Sequence, residues 1–207
     1  MTETPPSENE KPSPLLIVIS GPSGVGKDTV LQRLKERQAP LHFVVTANTR
    51  PPRPHERPGV DYHFVSKEEF LDMVARGEML EYAKVYNDYK GVPRAEVERA
   101  LASGKDVILR LDVQGAATIR KNFPQALLIF LTPNGEPELR ARLSARQTDQ
   151  PEDLELRLAT ARKEMARLGE FDYVVPNRTG QLDQTVDVIL AIITAEHHRL
   201  RPRKAVP

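Results

Sequence analysis

The sequence predicts an α/β fold in which a parallel sheet is flanked by helices and carries two appendages. Three observations lead there. Four short apolar runs, Leu15–Ser20, Asp106–Asp112, Leu127–Thr132 and Tyr173–Pro176, alternate with segments of helical periodicity. Strands buried on both faces beneath crossover helices read this way. The first run passes straight into Gly21-Pro22-Ser23-Gly24-Val25-Gly26-Lys27 and then into the helical pattern Val30-Leu31-Gln32-Arg33-Leu34. Strand, glycine-rich turn and helix in that order is the setting in which G-x-x-x-x-G-K forms a phosphate-binding loop. Finally, residues 46–95 and 141–162 interrupt the alternation with proline, arginine and acidic residues.

Each element has its own justification. Residues 1–14 place Pro5, Pro6, Pro12 and Pro14 among Glu, Ser and Thr. They are expected to form a disordered tail and are unlike a secretory leader. In the loop, glycines let backbone N–H groups turn toward an anion, and the helix behind adds partial positive charge. Lys27 reaches toward the terminal phosphates, while Asp28 stands where Ser or Thr normally holds magnesium. Leu41–Thr46 reads as a fifth strand. Ser66-Lys67-Glu68-Glu69 is a capping box that opens a helix through Phe70, Met73 and Val74, with Gly77 as its stop. Pro93 opens a helix running to Gly104. Leu154, Leu158, Ala161, Met165 and Leu168 form one apolar stripe, and Leu182, Val186, Ile189 and Ile193 another. The pair His197-His198 falls on a solvated helix end, and the charge of Arg201-Pro202-Arg203-Lys204 reads as solvation. The expected organisation is a tail at 1–14, core at 15–45, 96–140 and 163–200, an insert at 46–95, a lid at 141–162 and a tail at 201–207.

Composition excludes several classes. Thirty basic and 29 acidic residues leave a net charge of +1, which gives no global reason to expect nucleic acid. The absence of cysteine removes disulfides and cysteine-ligated zinc. His42, His55, His63, His197 and His198 show no metal-ligand spacing. No apolar run approaches the roughly 20 residues of a membrane span. The expectation is a soluble cytoplasmic protein acting on small molecules, with neither nucleic acid nor membrane as partner.

A second constellation lies in the insert. Arg50-Pro51-Pro52-Arg53 sets two guanidiniums on a proline-stiffened segment, and arginine forks match phosphate oxygens. The same segment also reads as a charged surface turn. Glu56, Asp61-Tyr62, Glu81-Tyr82 and Tyr89-Lys90 follow. A carboxylate such as Glu81, facing a cavity, accepts the N1–H and N2–H pair of guanine, whereas adenine has no N1–H. The sequence leaves open whether Glu81 faces one.

With these residues in view the chain resembles the guanylate kinases, enzymes that move the γ-phosphoryl of ATP onto GMP. The resemblance is carried by Ser20 through Lys27, Thr49-Arg50-Pro51-Pro52-Arg53, Gly59-Val60-Asp61-Tyr62-His63-Phe64-Val65, Glu81-Tyr82-Ala83, Asp112-Val113-Gln114-Gly115-Ala116 and Asp172-Tyr173-Val174-Val175, and spans residues 15–198. It implies a P-loop kinase sheet with a GMP-binding insert and a lid. It implies ATP on Gly21, Pro22, Ser23, Gly24, Val25, Gly26, Lys27, Asp28 and Thr29, with Asn177 near adenine. Arg50, Arg53, Tyr62 and Lys90 fall where the family grips the GMP phosphate, with Glu56 orienting the arginine segment. Glu81, Thr46 and Asp112 fall where it reads guanine. Lys27, Arg142, Arg146 and Arg157 would neutralise the transferring group, and Mg²⁺ would accompany ATP.

Three positions depart from the family pattern: Lys90 replaces a tyrosine, Val92 a small hydroxyl residue, and Arg110 the first acid of an Asp-x-Asp pair. For Asp28 three roles are open. It can take the hydroxyl's place on Mg²⁺, which is the expectation carried forward; it can cap the helix while Thr29 or water serves the metal; or it can repel phosphate. Two other functions are weighed. One is a guanylate-kinase-like binding module without catalysis, which the retained Lys27 and arginines disfavour. The other is a kinase for a different monophosphate or a sugar phosphate.

Overall fold

The computed structural model describes residues 13–37, 39–53, 56–85, 87–145 and 151–203. The expectations for residues 1–12, His55, Arg146, the part of 141–162 that falls at 147–150, and the chain end at 204–207 lie outside them. In chain order the elements are β1 (Leu16–Ser20), α1 (Lys27–Glu36), β2 (Leu41–Phe43), β3 (Thr46–Asn48), β4 (Tyr62–Phe64), α2 (Lys67–Ala75), β5 (Met79–Val85), β6 (Asp88–Pro93), α3 (Arg94–Ala102), β7 (Asp106–Arg110), α4 (Val113–Asn122), β8 (Leu127–Thr132), α5 (Glu136–Ser144), α6 (Pro151–Met165), β9 (Tyr173–Pro176) and α7 (Leu182–His197).

The central sheet is parallel, in the order β2-β7-β1-β8-β9. Alternation along β1 feeds two cores, because successive side chains point to opposite faces. Ile17 and Ile19 join Val30 and Leu34 of α1 and Val186, Ile189 and Ile193 of α7. Leu16 and Val18 join Val97 and Ala100 of α3 and Ala116 and Ile119 of α4. All five residues of β1 are buried. Each such aliphatic side chain stabilises the fold by about 1.5–3 kcal/mol. Among the described residues no helix is long and apolar enough to cross a membrane.

Several boundaries differ from the sequence reading. β2 ends at Phe43, and Thr46 opens β3 of a second sheet, so the expected strand Leu41–Thr46 is two strands in two sheets. β7 ends at Arg110, and Asp112 instead caps α4, its Oδ1 accepting from the N–H of Gln114 and Gly115 at 2.9 Å each. α6 ends at Met165, and Leu168 belongs to a 3₁₀ turn. His197 is not merely solvated: it is half-buried, with Nε2 2.8 Å from Asp106 Oδ2. Nor is Arg203 only a solvating charge. Its Nε donates to Glu196 at 2.6 Å, and Glu196 is buried.

The insert is a four-stranded sheet, β4-β3-β6-β5, with β3 and β6 antiparallel and β3 and β4 parallel. Its small core is Ala47, Phe70 and Met79, with Phe70 stacked on Tyr89 at 5.5 Å between ring centroids. Ser66 Oγ accepts from the Glu69 N–H at 3.0 Å, the expected cap of α2. Leu139 and Leu143 of α5 pack on Leu158 and Ala161 of α6.

Candidate active site

The loop after β1, the end of β7 and the insert meet at the carboxyl ends of the parallel strands. β1 has β7 on one side and β8 on the other, and a crevice at such a branching of strand order is where open α/β sheets bind ligands. The chain's geometry fixes the loop. Gly21 has φ +141°, and a Cβ there would sit 2.5 Å from the Leu131 carbonyl oxygen. Gly26 caps α1 with φ +96°, where a Cβ would lie 2.7 Å from Asn177 Nδ2.

Lys27 Nζ donates to the carbonyls of Gly21 at 2.6 Å and Pro22 at 3.2 Å. Burial pushes its pKa down against the pull of nearby acids. The N–H of Ser23 donates to Glu164 Oε2 at 3.2 Å, so a carboxylate from α6 engages an amide of the loop. Burial raises the pKa of Glu164. Asn177 Nδ2 donates to the Val25 carbonyl at 2.8 Å, and its Oδ1 accepts from the Thr185 hydroxyl at 3.2 Å. Here Asn177 buttresses the loop from beneath. Arg142 works beside it, donating to the carbonyls of Val25 at 2.8 Å and Asn177 at 2.7 Å and to Glu138 at 2.8 Å. Arg157 is half-buried on α6, and Thr29 is exposed on the first turn of α1.

On the insert side, both oxygens of Glu56 accept from the Arg50 guanidinium, and Oε2 also accepts from the Arg53 N–H at 2.8 Å. The Arg50 hydrogen bonds take the Glu56 pKa to about 2. Held in this way, Arg50 lies over the Tyr62 ring at 5.1 Å. Arg53 is exposed and contributes its backbone to this clasp.

A cavity of about 260 Å³ joins the two sides, lined by Lys27 and Asp28 from α1, Thr46 and Tyr62, Glu81 and Lys90, Arg110, Asp112 and Glu164. Cations gather around Tyr62. Lys90 Nζ and Arg110 both lie over the Tyr62 ring, at 5.4 and 4.9 Å. Burial and neighbouring Arg110 push the Lys90 pKa down to about 8. The same cavity holds Glu81, 6% exposed, and Thr46, 3% exposed and paired in register with Tyr62. The Thr46 hydroxyl has no hydrogen-bond partner among the described residues. Burial, reinforced by the charge of Asp112, lifts the Glu81 pKa to about 7. A Cβ on Gly115 would stand 3.0 Å from the Glu81 carboxyl; its absence lets α4 approach Glu81 that closely.

Of the residues singled out in the sequence, the structure brings Ser23, Lys27, Asp28, Thr46, Tyr62, Glu81, Lys90 and Asp112 to one cavity. Asn177 and Arg142 sit behind the loop, and Arg146 is outside the described residues. Two contributors were missed. Glu164 lies seven residues after Arg157, two helical turns along the same face, and that spacing could have flagged it. Arg110 was noted only as a departure, whereas it bonds to both Asp28 and Tyr62.

The guanylate kinase family model matches residues 13–196. "Guanylate kinase 2, chloroplastic/mitochondrial" of Oryza sativa subsp. japonica is 49% identical over 193 residues, covering 93% of this chain and 68% of the relative. "Guanylate kinase" of Halalkalibacterium halodurans is 43% identical over 188 residues, covering 91% of each. The crystal structure of guanylate kinase from Anaplasma phagocytophilum superposes with a TM-score of 0.76 at 32% identity, covering 92% of this chain and 89% of that one.

Proposed function

The chain belongs to the guanylate kinase family, and on that premise we propose that it transfers the γ-phosphoryl group of ATP to GMP or dGMP, giving ADP and GDP within purine nucleotide metabolism. One observation carries the acceptor assignment: a single cavity holds a buried carboxylate, a buried hydroxyl with no partner among the described residues, and a tyrosine with lysine and arginine over its ring. A guanine edge with two parallel N–H donors fits the carboxylate, and a phosphate fits the cations.

The GMP phosphate is already an anionic nucleophile, so the reaction needs positioning and charge stabilisation rather than a general base. Loop amides and Lys27 take the donor phosphates. To do so Lys27 exchanges its carbonyl partners, and Glu164 releases the Ser23 amide. Arg142 and Asn177 keep the loop shaped. Arg157 and Arg146 are proposed to reach the transferring group when the lid closes and excludes water.

Mg²⁺ is part of the proposal. Hard cations take oxygen donors, and Asp28 offers one at the start of α1. Burial raises its pKa, but Arg110 outweighs that and holds the carboxylate below its usual range. The described residues form no group of three or more metal-ligating side chains, so the donors present suit a cation carried largely by the nucleotide. Bound with ATP, it supplies charge neutralisation of the phosphates. A cytoplasmic setting is also part of the proposal.

The test is base selectivity in Glu81→Gln. Losing a charge-assisted pair of hydrogen bonds should lower kcat/KM for GMP by about 10²-fold or more. Turnover with AMP should change by no more than about threefold, since adenine lacks the N1–H that the carboxylate reads. Unaltered GMP kinetics would show that Glu81 does not read the base.

A further inference from the structure

We propose that Arg110 is a ligand of the acceptor phosphate and that Asp28 is its counter-ion, the two forming one unit across the donor and acceptor ends of the site. This rests on the reading of the cavity as a GMP site. Strand register creates the unit. β1 and β7 pair with Ile19 opposite Arg110, so Arg110 ends its strand beside the phosphate loop, and Asp28 sits on the first turn of the helix that follows. The guanidinium then forks: Nη1 donates to Asp28 and Nη2 to the Tyr62 hydroxyl. A planar fork has five donors, so these two bonds leave others for a ligand.

The charge count around Tyr62 points to an anion. Arg50, Lys90 and Arg110 all lie within 5.4 Å of that one ring. Glu56 answers Arg50 and Asp28 answers Arg110. Lys90 approaches the Tyr62 ring and has no acid within ion-pair distance among the described residues. Exposure is unequal within the Arg110 pair: the arginine side chain is 17% exposed and the aspartate 67%. The cation is therefore fixed in the cavity wall while its counter-ion sits toward solvent. A cation so withdrawn from water is costly without a partner. Asp28 relieves that cost in the free protein, and a doubly charged phosphate arriving beside Tyr62 brings more charge than one carboxylate. The two residues that each depart from the family pattern are thereby explained together.

The experiment is calorimetric binding of GMP and of guanosine, without ATP and without divalent metal, to full-length wild type, Arg110→Ala, Arg110→Gln, Asp28→Asn and Asp28→Asn/Arg110→Gln. Arg110→Ala and Arg110→Gln should raise the Kd for GMP by about 10- to 100-fold, the range of a charge-assisted hydrogen bond. They should leave guanosine, which lacks the phosphate, within about threefold of wild type. The effects of Asp28→Asn and Arg110→Gln should be non-additive by at least about twofold, as for residues in direct contact. Unchanged GMP binding in both Arg110 variants, or equal losses for GMP and guanosine, overturns the ligand role. Additive effects overturn the pairing. Wild-type protein that binds no GMP overturns the underlying reading, and the inference falls with it.

Discussion

Glu81 and Lys90 line the same cavity, and burial presses each toward its neutral form. Glu81 titrates at about 7 and Lys90 at about 8. Both are charged together only in the interval between those values. The kcat/KM for GMP, which reports the free protein, should therefore be bell-shaped, falling below about pH 7 as Glu81 protonates and above about pH 8 as Lys90 loses its proton. Glu81→Gln should leave an acid limb set only by the phosphate itself, near pH 6, and Lys90→Met should lose the alkaline limb. A flat wild-type profile from pH 6 to 9 would contradict both assignments. Stability runs the opposite way. The folded-state pKa of Glu81 is raised from 4.5, so its contribution is complete below 4.5 and is lost as pH rises through 7. Unliganded wild type should lose more melting temperature between pH 5 and 8 than Glu81→Gln does. The residue types at this site were legible: a phosphate-loop lysine, an arginine segment and an acid suited to guanine. The meeting of Asp28 with Arg110 was not, because it spans 82 residues and depends on a strand register that periodicity does not specify.

At the scale of elements, buried strands declared themselves, since β1 and β8 are continuous apolar runs. The insert's sheet did not. β3 and β4 have three residues each, too short for a period-2 pattern, and their partners are set by long-range pairing such as Ala47 with Gly91. Helix α5 begins behind Gly135 with Pro137 in its first turn, and no apolar stripe long enough to announce it follows. The N-terminus of α4 shows how an element tunes a side chain it does not carry. Gly115 leaves space for the Glu81 carboxyl, which an added Cβ would meet at 3.0 Å. Gly115→Ala should displace the carboxylate by a few tenths of an ångström and lower kcat/KM for GMP by about 10-fold, with the KM for ATP unaltered. Alanine favours the helix by up to about 1 kcal/mol, so melting temperature should not fall. Equal loss for GMP and ATP would mean that the helix moves as a whole.

Across the whole molecule, the central sheet supplies the phosphate loop and Arg110, the second sheet supplies Tyr62, Glu81 and Lys90, and α6 supplies Glu164, all to one cavity. Three parts around one site suit a protein that closes over two substrates. The bond from Ser23 to Glu164 also ties α6 to the loop. That closure is proposed to move a phosphoryl group to a guanine nucleotide and not to monophosphates at large. The direct measurement is ADP formation from ATP by the wild-type protein with GMP, dGMP, AMP, CMP, UMP and ribose 5-phosphate as acceptors. Turnover with GMP and dGMP should exceed every other acceptor by at least about 10²-fold in kcat/KM, the discrimination expected when a buried carboxylate must be satisfied. Comparable turnover with AMP, or no ADP with any acceptor, would contradict it.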